Sequence, residues 1–127
     1  VEFTIPTNPV EGEFFDEQWK VTWRYRVRPT SPAAVFELCH ELGIKQAVSG
    51  TVEDVRLAIR VAKECAPVLL EAKAADGSEV VIDGKPATEA DLIPFIEVHT
   101  ALGIAIGQTS YNEGVKLAPR VDDERGN

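Results

Sequence analysis

Histidine and cysteine are both scarce in this chain. Each occurs twice in 127 residues, as His40 and His99 and as Cys39 and Cys65. Two cysteines make no disulfide framework, and both fall on helical patterns among apolar neighbours, so packed, unbonded thiols in a reducing compartment are expected. Adjacent side chains on a helix point about 100° apart, which places Cys39 and His40 badly as a nucleophile and its base. His99 lies on an apolar stripe, where an imidazole is more often packed and hydrogen-bonded than a ligand. The four residues have the atoms of a metal site but no short-range ligand spacing, so neither a metal nor another cofactor is expected.

Long hydrophobic runs are missing too. The apolar stretches fall far short of membrane-spanning length, and no basic n-region followed by an apolar h-region opens the chain, so a protein without a membrane or a retained secretion signal is expected. The glycine-containing segments DGSEVVIDGK and GIAIGQTS match neither a phosphate-binding loop nor a dinucleotide fingerprint. Glu37 and Glu41 fall on a polar helix side, while Glu53-Asp54 and Asp122-Asp123 read as solvated runs, and solvated carboxylates make no general acid. No constellation supports an enzyme.

Charge is present in quantity and unevenly spread. The formal net charge is -8, and residues 1–17 carry Glu2, Glu11, Glu13, Asp16 and Glu17 without a base. Lys20, Arg24, Arg26 and Arg28 follow within QWKVTWRYRVRP, where Trp19, Val21, Trp23, Tyr25 and Val27 alternate with the polar residues. That period is a strand with one apolar and one basic face. An acidic chain repels nucleic acid at long range, and this patch is small for a nucleic-acid footprint. Pairing of the basic face with acidic protein segments, across strands or between molecules, is the simpler reading. The rings are expected to pack on the helices, with their outer edges offered to a partner. The candidate protein-binding residues are therefore Trp19, Trp23, Arg24, Tyr25, Arg26 and Arg28.

The length suits one domain with a real core, here residues 1–117, followed by a solvated tail at 118–127. Phe3, Ile5 and Val10 among Pro6, Pro9 and Gly12 predict an irregular extended start, and residues 1–28 form the β part in edge or hairpin geometry. Ser31-Pro32 predicts an N-cap, a helix at about 32–42 and a C-cap at Gly43. Thr51 and Asp54 open a second helix whose apolar positions are Val52, Val55, Ile59, Ala62 and Ala66, stopped by Pro67. For residues 68–75 propensity favours a short helical extension over a strand, followed by a turn at Asp76-Gly77 and a small β segment at Val80 to Ile82. A Thr88-to-Asp91 box then opens one last helix with Leu92, Ile96, His99, Leu102 and Ile106 on a single face, and periodicity fades from Thr109. The fold class is α+β: an N-terminal β hairpin or strand region packed on about three amphipathic helices.

Taken in order, FTIP, a strand ending in RVRP, amphipathic helices, a DG turn and IDGKPATEADLIPFIE before a final helix resemble the small tail assembly chaperones of long-tailed bacteriophages. The local match is Asp83 to Phe95, and the looser one covers residues 1–107. The resemblance implies a non-enzymatic morphogenesis factor of the host cytoplasm or virion. It binds phage structural proteins such as the tail tube or tape measure protein, and self-association is compatible with it. The alternative, suggested by charge alone, is a small acidic inhibitor, a DNA mimic or anti-defence protein acting on a nucleic-acid enzyme. An extended groove beside residues 19–27 favours the first, and a continuous acidic ridge favours the second.

Overall fold

The computed structural model describes residues 8–45 and 51–115 and has an α+β fold, an N-terminal sheet packed against several helices. Strands β1 (Val10–Asp16) and β2 (Val21–Val27) form an antiparallel hairpin, in register from Val10 opposite Val27 to Asp16 opposite Val21. The expected extended start before Asn8 and the tail after Val115 lie outside the described residues. Helices α1 (Pro32–Glu41) and α2 (Val52–Glu64) follow, with Ser31 Oγ accepting from Ala34 N at 3.1 Å and Thr51 Oγ1 from Asp54 N at 3.3 Å. Both caps stand where the sequence places them. Gly43, at φ 71°, takes the left-handed turn that closes α1.

Residues 68–74 correct the sequence reading. They form strand β3 (Val68–Ala74), antiparallel to β2, so the sheet order is β1-β2-β3 and β2 is central. Alanine, glutamate and lysine favour a helix locally, but Ala66 at φ 50° and Pro67 end α2 and reset the chain direction. β3 then satisfies the ladder groups along the second edge of β2, and tertiary pairing overrides a small propensity. Ala66, expected on the apolar stripe of α2, is accordingly exposed. A bulge between Arg24 and Tyr25 lets both Leu69 and Ala74 point into the core.

A short ribbon follows, β4 (Val81–Ile82) with β5 (Lys85–Pro86), turned by Asp83 and Gly84 at φ 53° and 79°. Thr88 does not cap the next helix. It lies in a single 3-10 turn at Ala87–Glu89, and Asp91 caps α3 (Leu92–Val98) by accepting from Ile93 N at 3.3 Å. The expected single last helix is two: α3 and α4 (Thr100–Val115) meet at a 115° bend. Its apolar spacing runs through the bend because both helices cover one core, with Ile96, Leu102 and Ile106 all buried. α4 also continues past Thr109. The polar residues that seem to end its stripe point inward, where Ser110 Oγ bonds Arg28 O and lies 2.7 Å from Thr30 Oγ1. No single helix among the described residues is long and apolar enough to cross a membrane.

The core lies between the inner sheet face and α2, α3 and α4. Val21, Trp23, Tyr25 and Val27 meet Ala62, Cys65, Ile96, Leu102 and Ile106 there. α2 and α4 make the main helix–helix contact. A Cβ on Gly107 would strike the backbone carbonyl of Ala58, so glycine permits that close crossing. Ion pairs join the outer sides: Arg60 of α2 to Glu41 of α1, and Lys63 of α2 to Glu97 of α3.

Candidate functional site

Six residues nominated from the sequence part company in the structure. Trp23 and Tyr25, 3% and 1% exposed, belong to the core. The Tyr25 hydroxyl lies 2.7 Å from Thr109 Oγ1 and 3.2 Å from Ala105 O, which ties the sheet to α4. Burial raises its pKa above the ordinary tyrosine value, opposed by the Thr109 hydrogen bond. Arg24 is held within its own chain, 3.2 Å from Glu71 of β3 and 3.7 Å from Glu11 of β1. Arg26 faces Glu11 in the register, and both Arg26 and Arg28 are exposed. The outer sheet face is thus a lattice of mixed charge, built from Glu11, Glu13, Arg24, Arg26 and Glu71. Such exposed pairs fix register and contribute little energy.

Trp19 corrects the sequence alternation. It belongs to the hairpin turn, not to β2, and is 65% exposed. The cause is local. Asp16 ends β1 with its carboxylate buried, and Oδ1 accepts from Gln18 N at 3.1 Å and Trp19 N at 3.4 Å. Lys20 at φ 54° then turns the chain back into β2. Asp16 Oδ2 lies 2.6 Å from His99 Nε2, at the bend between α3 and α4. One carboxylate therefore holds both the turn that presents Trp19 and the bend that presents Val98. His99 is packed and hydrogen-bonded, as its position on an apolar stripe suggests, with its ring edge-on to Trp23 and Phe95 at 6.0 and 5.3 Å between centroids.

Between the turn, the bend and the β4–β5 ribbon lies an apolar hollow of about 410 Å³. Trp19, Val81 and Val98 stand at its rim, 65%, 51% and 81% exposed, and Trp23, Phe95 and His99 form its inner wall. It continues at both ends. Toward the Asp76–Ser78 turn a hollow of about 480 Å³ shares Trp19, Val80 and Val81 with it, and toward Asp83 and Asp91 one of about 290 Å³ shares Ile82, Phe95 and Val98. The three hollows adjoin one another along the ribbon, beside the start of β2, and together form a trough. Trp23 Nε1 is a buried donor with no partner among the described residues, and it is sealed from solvent, so a ligand in the trough does not reach it.

A separate hollow of about 290 Å³ lies between α1, α2 and α4, lined by Val35, Cys39, Leu57 and Tyr111 among others. It is smaller than the trough as a whole. Cys39 is half-buried and His40 exposed, whereas Cys65 is buried with its Sγ 3.3 Å from Ala62 O. Both thiols are free. Among the described residues, no three of histidine, cysteine, aspartate and glutamate cluster to hold a metal ion.

No family model, curated protein or solved structure significantly matches this chain. Val81, Val98 and Phe95 carry no sequence signal as site residues, because the ribbon and the α3–α4 bend meet the β1–β2 turn only in the fold. Val98 left one trace: it is a β-branched apolar residue off the stripe formed by Leu92, Ile96 and His99.

Proposed function

We propose that this protein is a non-enzymatic binding factor that holds a linear segment of another protein in the trough. The observation that carries the reading is the exposure of Trp19, Val81 and Val98 around one continuous apolar hollow beside β2. Large aromatic and aliphatic side chains at the rim of a concavity are what partner surfaces use as anchors. The resemblance to tail assembly chaperones makes phage structural proteins, the tail tube or tape measure protein, the partner class, with the host cytoplasm or the virion as the setting. The acidic-inhibitor reading has less support. On the outer sheet face Arg24 and Arg26 interrupt Glu11, Glu13 and Glu71, so no continuous acidic ridge forms there.

Affinity capture from phage-infected cells tests the proposal, with wild type and a Trp19→Ala/Val98→Gln variant compared side by side. Both positions are exposed, so the variant retains the fold. The supporting result is a tail structural protein retained by wild type and lost by the variant. Capture of a nucleic-acid enzyme, equal in both, would replace the proposal with the inhibitor reading.

A further inference from the structure

We infer that the segment bound in the trough has a bulky apolar centre flanked on both sides by lysine or arginine. The inference rests on the protein-binding reading and gives the partner its chemistry. The trough is largely apolar along its whole length, and carboxylates enter its lining only at the two ends. Asp76 and Glu79 line one end, and Asp83 and Asp91 line the other. Against these four carboxylates stand two ammonium groups, Lys20 and Lys85. Two acids are already engaged: Asp76 Oδ1 accepts from Ser78 N at 2.9 Å, and Asp91 Oδ1 accepts from Ile93 N at 3.3 Å. Glu79 and Asp83, one at each end, have no ion pair or hydrogen bond among the described residues. The Ser78 hydrogen bonds hold the Asp76 carboxyl below the usual carboxylate range, so Asp76 itself stays ionised in mild acid.

An apolar anchor removes the exposed faces of Trp19, Val81 and Val98 from water. Bases on either side of it then meet the net negative ends of the trough. Charges placed this way set register and partner choice more than affinity, because an anchor with acidic flanks would meet repulsion at both ends. The same carboxylates disfavour nucleic acid and anionic membrane as occupants.

The test is selection from a random dodecapeptide display library on the immobilised full chain. Selected peptides are then titrated by fluorescence anisotropy against wild type, Trp19→Ala/Val98→Gln and Glu79→Gln/Asp83→Asn. Asparagine suits the positive φ of Asp83, so the second variant removes charge without disturbing the turn. Selected peptides should carry a bulky apolar residue between basic ones. The apolar double variant should weaken binding at least about tenfold. The neutralised variant should weaken it roughly 3- to 10-fold at low ionic strength, and the difference should shrink in high salt. Selected peptides without basic flanks, or indifferent to Glu79→Gln/Asp83→Asn, would overturn the inference, while sensitivity to Trp19→Ala/Val98→Gln would leave the protein-binding reading standing. Peptides indifferent to both variants, or no binder at all, would overturn both. Self-association of the peptide-free protein, abolished by Trp19→Ala/Val98→Gln, would assign the trough to a second copy and also overturn the inference.

Discussion

Gly107→Ala sets two effects of opposite sign against each other, and the structure decides between them. Within a helix, alanine in place of glycine is favoured by about 1 kcal/mol. At Gly107 the new methyl would overlap the carbonyl oxygen of Ala58, and its carbonyl carbon would lie 2.9 Å away. Those are backbone atoms of α2, which no rotamer change moves aside. The helices must part, loosening Ala58, Val61 and Ala62 of α2 against Leu102 and Ile106 of α4. Overpacking of this kind costs about 1–3 kcal/mol, and a backbone obstacle belongs at or above the upper end. The expected net destabilisation is about 2 kcal/mol, a fall in Tm of roughly 6–10 °C for a chain of this size. Gly103→Ala is the internal control. Its methyl would meet chiefly the end of the Ile59 side chain, which can turn away, so stability should stay within about 1 kcal/mol of wild type. Urea denaturation of the three proteins, at equal slope, reads both values. A Gly107→Ala protein as stable as wild type, or more so, would refute the α2–α4 crossing.

Four further outcomes are expected. Tyr25→Phe removes a buried hydroxyl that lies against Thr109 and Ala105, and should cost about 1–2 kcal/mol in denaturation with the fold retained; no change would mean that this contact is absent. Burial pushes the Cys65 thiol up from 9.0 to about 11, so the folded state holds that proton more tightly than the unfolded chain. The corresponding stability, about 2–3 kcal/mol, should be intact below pH 9.0 and lost as pH rises toward about 11, and Cys65→Ala should remove that part of the alkaline slope. A thiol reagent at neutral pH should likewise modify Cys39 first and Cys65 only on unfolding; equal rates would contradict the burial. Asp16→Ala takes the acceptor from Gln18 N, Trp19 N and His99 at once, and should cost about 3 kcal/mol or more in the same assay; a neutral result would deny Asp16 its role in holding the turn to the bend.

Much of the fold is legible in local chemistry. Ser31 and Thr51 announce their helices because a hydroxyl before a helical stripe satisfies an orphan amide, and both do so here. The alternation from Val21 to Val27 names four inward residues, and all four are buried. What escapes local reading was decided at long range. VLLEAKA has helical propensity and becomes a strand because β2 has a free edge beside it. Leu92 to Ile106 keeps helical spacing across the bend because spacing records which residues face the core and not whether the axis is straight. Thr109 and Ser110 look like the end of a helix, yet their hydroxyls satisfy Tyr25 and Arg28 inside it. The trough was the least visible feature. Its walls come from the hairpin turn and the start of β2 on one side and from the stretch 74–99 on the other, and neither has the pattern of a site. The arginines attract notice in an acidic chain, but the register places glutamates beside Arg24 and opposite Arg26.

The trough and the basic strand face make rival contact surfaces, and site-specific crosslinking separates them. A photoreactive benzophenone side chain would replace Val98 on the trough rim in one protein and Arg26 on the outer sheet face in another, both positions being exposed. Irradiation in phage-infected cells, followed by identification of the adducts, should give a partner-protein adduct from position 98 and none from position 26. That adduct should disappear when Trp19→Ala is added and survive the charge reversal Arg24→Glu. A partner adduct from position 26 alone would contradict the account and return the binding function to the arginine face.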